Sequence, residues 1–252
     1  MWKLMKIEIW KYRGVPMFRL LTLAVVITLL VSATAIFQIN DSKELADPIS
    51  VYTVMDSIAF INVILLPTIL AGIASMAVQL EERHNMWKVL ASSGVAYRVL
   101  YRTKFLYIYA CYVLMQLLEW ACVVILLRWR GFTGHVPVEK LVFYGLSILA
   151  ISGCLLLLHY VISLKWSNQL VNLSIAVLGS LMGIIIILIS KSLMMVQPYS
   201  WYGFLMSVHF EKVGDRFVKH LGEMSSYPLS ASLLLGILVY QLGKRMKVGG
   251  VK

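Results

Sequence analysis

Apolar residues gather into six charge-poor runs, at 20–40, 57–80, 105–127, 141–164, 166–190 and 224–243. At about 1.5 Å per helical residue, each is long enough to cross a hydrocarbon core about 30 Å thick. None alternates apolar and polar positions in the ten-residue segments of an outer-membrane barrel. The pattern predicts an all-α integral membrane protein with six transmembrane helices. The sixth run is the weakest, because its strongly apolar part starts only at Leu229 and it contains Gly236. The first run exceeds the about 7–15 apolar residues of a signal peptide and no small-x-small site ends it, so it is expected to stay in the protein. Too little chain remains between the runs for a soluble domain of about 50 residues, and 1–252 reads as one membrane domain.

Composition agrees and removes one alternative. Hydrophobic residues make up 60% and charged residues 14% of the 252, against about 45–50% and 25% in soluble domains. The net charge of +11 would point to nucleic acid in a soluble chain, but here location decides. With six spans and both termini on one side, that side holds fifteen of the 23 lysines and arginines, among them Lys3, Lys11, Arg13, Arg19, Arg98, Arg102 and Lys104. The other side holds eight, offset by eight carboxylates. The bias predicts cytoplasmic termini and attraction to anionic lipid, with no nucleic-acid partner. Cys111, Cys122 and Cys154 all lie inside apolar runs and read as small packing residues.

Two connections exceed what a turn needs. From Glu81 to Lys104 the chain passes an acidic pair (Glu81, Glu82), then Trp87, Lys88 and Leu90, a Ser92-Ser93-Gly94 break, and a basic, aromatic stretch through Arg98. It reads as two short amphipathic helices at the membrane surface, serving either to dock a partner or only to anchor two spans. The outer connection, 191–223, is apolar, with Trp201 and Tyr202 near its centre, and is expected to form a hairpin with half-inserted helices. His209 and His220 fit no zinc spacing, so no metal site is expected.

Glu119 is the one formal charge inside a run. A carboxylate at that depth costs about 2.5–3.5 kcal/mol on insertion scales, so it must face protein or water. Helical spacing puts Tyr109, Tyr112, Gln116 and Glu119 on one stripe. The stripe either lines a pathway or holds helices together; Asn62 on the second run belongs to the same candidate set. Ala176/Ser180 and Gly179/Gly183 form small-xxx-small pairs that suit close helix packing. Pro67 and Gly72 should loosen the second span, and His159 reads as a packed, hydrogen-bonded histidine.

The chain has no P-loop, because Leu238 stands where a glycine upstream of Gly243-Lys244 is required. It has no H-E-x-x-H and no G-x-S-x-G. The E-E-x-x-x-R motif of a family of intramembrane proteases fails too, since Met86 occupies the arginine position. No catalytic residue is assigned. An intramembrane enzyme and a non-catalytic scaffold or sensor stay as alternatives.

The order of parts resembles the ABC-2 type permeases, and among them the small permeases of lantibiotic-immunity and bacitracin-resistance exporters. Those carry after the second span a segment similar to E-x(5)-W-K-x-L-x-S, here Glu81, Trp87, Lys88, Leu90 and Ser92, followed by a basic residue entering the third span, here Lys104. Where such permeases often have a glycine and a small residue, this chain has Asn85 and Met86. The resemblance implies a bacterial plasma-membrane subunit with no cofactor of its own, ATP and Mg being bound by a separate ABC ATPase. It implies a second permease, identical or related. The 2–3 connection would be the coupling segment, with Trp87 and Leu90 as docking knobs and Glu81, Glu82, Lys88, Arg98 and Lys104 around them. The cargo would be a hydrophobic or cationic peptide met by Trp201 and Tyr202, or another hydrophobic molecule.

Overall fold

The computed structural model describes residues 2–39, 42–82, 89, 92–166, 168–213 and 216–246. Trp87, Lys88 and Leu90 therefore lie outside the described residues. In chain order the elements are α1 (Trp2–Lys11), a 3-10 turn (Tyr12–Gly14), α2 (Met17–Phe37), α3 (Ser42–Ala46), α4 (Pro48–Glu82), α5 (Tyr97–Arg130), α6 (Val138–Lys165) and α7 (Gln169–Ile189). Then come α8 (Lys191–Val196), a second 3-10 segment (Pro198–Leu205), strands β1 (Val208–Val213) and β2 (Arg216–Leu221), and α9 (Tyr227–Arg245).

Helix ends follow caps and breakers, whereas the apolar runs mark only the part of a helix suited to lipid. Thus α4 starts nine residues before its run, at Pro48, where the missing N–H costs nothing, and the Asp47 carboxylate accepts the Ile49 N–H at 2.9 Å. Its 35 residues span about 50 Å, well beyond a hydrocarbon core. Helix α5 starts at Tyr97 rather than near Phe105, since nothing between them breaks a helix, and ends at Gly131 with φ +88°. Asn168 caps α7 by accepting the Leu170 N–H at 2.9 Å. Gly94, φ +78°, closes the Ser92-Ser93 turn, in which both hydroxyls donate to the Val89 carbonyl.

Helix α4 is the axis. It packs against α2, α6, α7 and the second 3-10 segment, and two-thirds of its most apolar window is buried. Small residues on it, Ala71, Ala74 and Ala77, let its neighbours close in. By contrast α5 and α7 leave most of their apolar windows uncovered, with leucines such as Leu114, Leu118, Leu178 and Leu188 facing outward. That is the pattern of helices whose solvent is lipid.

Among the described residues five helices, α2, α4, α5, α6 and α7, are long and apolar enough to cross a membrane. The sixth expected span, α9, carries Ser230, Ser232, Gly236 and Gln241 among its leucines and is not one of those five. It nevertheless packs extensively against α6. Its first residue, Tyr227, donates its hydroxyl to the Met195 carbonyl at 2.7 Å, and near its last turn the Gly243 carbonyl accepts from Tyr97 at 3.2 Å. Helix α1 and the end of α9 thus share one end of the bundle, the near end; α3, α8 and the β-hairpin share the far end.

The chain is mostly helical, and the outer connection departs only in detail from the hairpin with half-inserted helices expected there. After the helical 191–205 stretch, β1 and β2 pair antiparallel, with His209 opposite His220 and Phe210 opposite Lys219. Val208, Phe210, Val213, Phe217 and Val218 are β-branched or aromatic residue types that suit a strand. The hairpin is pinned by Asp56 of α4, whose carboxylate accepts the Ser207 N–H at 3.0 Å and the Val208 N–H at 2.7 Å.

Candidate functional site

Four charged side chains meet at the near end. Lys104 of α5 places Nζ 2.8 Å from Glu81 Oε1 and 2.9 Å from Glu8 Oε2. Lys11 reaches the same Glu81 oxygen at 2.9 Å and Glu8 Oε1 at 3.6 Å. Glu81 and Lys104 are 1% and 2% exposed, so this is a desolvated, neutral cluster of two lysines and two carboxylates joining α1, α4 and α5. Tyr12 closes it from one side, its ring 5.3 Å from Lys104 Nζ and 4.8 Å from the Tyr107 ring. Burial, helped by the nearby Glu8 and Glu81 carboxylates, pushes the Tyr12 phenol well above its ordinary pKa. It stays neutral.

A second polar chain crosses the bundle interior. Gln116 donates to Glu119 at 3.0 Å and accepts from Tyr112 at 2.8 Å. The Tyr112 hydroxyl lies 2.7 Å from Ser152 Oγ, which lies 2.7 Å from the Tyr202 hydroxyl. The inward stripe expected on α5 therefore continues through α6 to the 3-10 segment. Hydrogen bonds between α4 and α6, Tyr144 to Met55 and Ser163 to Ser75, keep offsets of 89 (144 − 55) and 88 (163 − 75) residues. Those offsets put Asn62 level with Ile151, beside the depth of Ser152. Asn62 is 1% exposed, and neither side-chain polar atom has a partner among the described residues.

A third net centres on Asn172 of α7. Its Nδ2 donates among the Ala71 carbonyl (3.0 Å), Ser75 Oγ (2.9 Å) and Ser163 Oγ (2.8 Å). Its Oδ1 sits 2.7 Å from His159 Nδ1. A carbonyl oxygen can only accept, so Nδ1 carries the proton and Nε2 is left to accept from Tyr199, 3.3 Å away. His159 is packed and hydrogen-bonded, as the sequence reading has it.

The small pairs of α7 seat the 3-10 segment of the same chain. A Cβ on Gly179 would stand 2.7 Å from the Tyr199 ring, and one on Gly183 would stand 3.2 Å from the Tyr199 backbone. Gly179→Ala should therefore expel Tyr199 from its seat and cost about 1–3 kcal/mol. Gly236→Ala, with nothing within 4 Å, should cost nothing. Melting of the two variants in detergent checks the contrast.

Of the residues expected at a partner surface, Glu81 and Lys104 are buried in the charge cluster, Glu82 is half-buried and Arg98 is exposed. Trp201 and Tyr202 are 4% and 0% exposed: the 3-10 segment turns them into the bundle, where Trp201 donates to the Met195 carbonyl at 3.2 Å. They do not form an outward surface. Sequence reading missed Glu8, Lys11 and Asn172. Glu8 and Lys11 are one helical turn apart in a basic segment, a spacing that signals a shared face.

Lipid-length helices around an interior threaded by polar chains make a multi-pass membrane protein. A family model described as ABC-2 family transporter protein matches residues 4–183, 180 of the 252 residues (183 − 4 + 1). The chain belongs to that family, and membership implies an ABC ATPase partner. No curated protein and no solved structure matches.

Proposed function

We propose that this subunit is the permease of an ATP-driven exporter in a bacterial plasma membrane, with six spans, cytoplasmic termini and a second permease copy or relative beside it. Family membership supports the permease role, and the path of α9 along α6 supports a sixth crossing. The leucine-rich outer faces of α5 and α7 leave room for the second permease as well as lipid.

One observation carries the mechanism. The connection between α4 and α5 is closed at its base by the Glu81–Lys104 contact, and both residues are tied to α1. A push from the ATPase on that connection is shared by three helices, a rigid-body switch in place of a local bend. Glu81 and Lys104 transmit motion, while Trp87, Leu90, Glu82, Lys88 and Arg98 meet the ATPase. The chain from Glu119 to Tyr202 then has two arrangements, one sealed as here, one with the 3-10 segment parted from α6 so that Trp201 and Tyr202 meet cargo.

The cargo we favour is a membrane-associated, cationic, amphipathic peptide of the lantibiotic type, expelled as self-protection. The permease and its ATPase, reconstituted together in vesicles, should hydrolyse ATP several-fold faster with such a peptide and clear it from the bilayer. Stimulation by a lipid or drug but not by the peptide would leave the exporter standing with a different hydrophobic cargo.

A further inference from the structure

A cavity of about 870 Å³ opens at the elbow where α1 turns into α2 against α5. That is near the upper end of small-molecule pockets, about 300–1,000 Å³. Two of its lining residues, Arg13 and Arg19, are exposed cations with no ion-pair partner among the described residues. The Glu8 and Glu81 carboxylates are already matched by Lys11 and Lys104, so no carboxylate among the described residues neutralises the pair. From the arginines the wall descends along α5 from Tyr107 to Leu114, about 10 Å along the helix axis. That wall, with Ala110 and Cys111 between, is apolar apart from the tyrosine. Trp10, 70% exposed with the Arg13 guanidinium 4.8 Å over its ring, sets the elbow at headgroup level, where aromatic residues anchor membrane proteins.

We propose that this cavity binds one anionic glycerophospholipid, its phosphate and headgroup charge between Arg13 and Arg19 and an acyl chain along the Tyr107–Leu114 face. A free inorganic anion would use the arginines but gain nothing from the apolar wall; a neutral apolar molecule would leave two cations unmatched. A lipid satisfies both parts of the site. Tyr12 lines the same cavity and packs under Lys104, so the occupant lies against the back of the charge cluster. The proposal rests on α2 and α5 lying in a bilayer and not on export or its cargo, so the two readings fail separately.

The test is photo-crosslinking of the full chain in phosphatidylcholine vesicles containing a minor share of phosphatidylglycerol. Trace diazirine-acyl phosphatidylglycerol or phosphatidylcholine serves as the probe, and labelled peptides are mapped. The anionic probe should label the 107–114 peptide on the order of tenfold more than the zwitterionic one, as two uncompensated cations warrant. Arg13→Gln with Arg19→Gln should erase the difference. Ala110→Phe, which narrows the cavity at its apolar wall and keeps both arginines, should sharply reduce labelling there, and Lys165→Gln with Arg245→Gln, basic residues of the same bundle end, should leave it intact. Equal labelling by the two probes, an equal loss in the Lys165/Arg245 pair, or displacement of the anionic probe by inorganic phosphate would overturn the lipid assignment.

Discussion

Lys104→Met should be the most damaging single substitution at the near end of the bundle. It leaves Glu8 and Glu81 facing Lys11 alone, a net charge of −1 where Glu81 is 1% exposed. Removing one partner of a buried ion pair costs about 3–5 kcal/mol, most of it the cost of stranding the other charge. Methionine keeps much of the lysine stem's volume, so lost packing is the smaller part. The diagnostic variant is therefore the double, Glu8→Gln with Lys104→Met, which returns the cluster to neutrality. Melting in detergent should show a large drop for the single and recovery of more than half of it in the double. Equal melting of the two would mean that lysine packing, not charge balance, is what Lys104 supplies.

The hydrophobic pattern located the helices because lipid demands about 20 apolar residues wherever a helix crosses it. It did not locate their ends. Those answer to Pro48, Asn168 and Gly131, and so α5 begins eight residues before its apolar run, carrying Arg98, Arg102 and Lys104 as helix residues. The polar stripe through Tyr112, Gln116 and Glu119 could be read because residues three and four apart share a helix face. Its continuation to Ser152 and Tyr202 could not, since contacts between residues 40 and 50 apart leave no periodic trace. The same holds for Asn172, whose partners come from α4 and α6, and for Glu81 and Lys104, whose motif positions are visible while their burial depends on where α1 folds back. The β-hairpin left little trace in the sequence, because 216–221 reads polar, apolar, apolar, polar, polar, apolar, without the period-two alternation of a half-buried strand.

Between Glu82 and Ser92, Trp87 is the only Phe, Tyr or Trp in the sequence. Aromatic anchors in the centre of an interface cost at least about 2 kcal/mol when truncated, which corresponds to roughly thirtyfold weaker binding. Trp87→Ala should weaken the ATPase's hold by at least that factor while leaving the bundle folded, since the charge cluster at the base of the connection is untouched. In the proposed exporter this chain makes no chemical energy and receives motion through the connection between α4 and α5. The measurement is co-purification of the ATPase with the wild-type and Trp87→Ala permeases, together with ATP turnover of each complex in vesicles. The variant should melt like wild type, lose most of its bound ATPase and no longer stimulate turnover. Full binding and full turnover with alanine at position 87 would contradict the proposal.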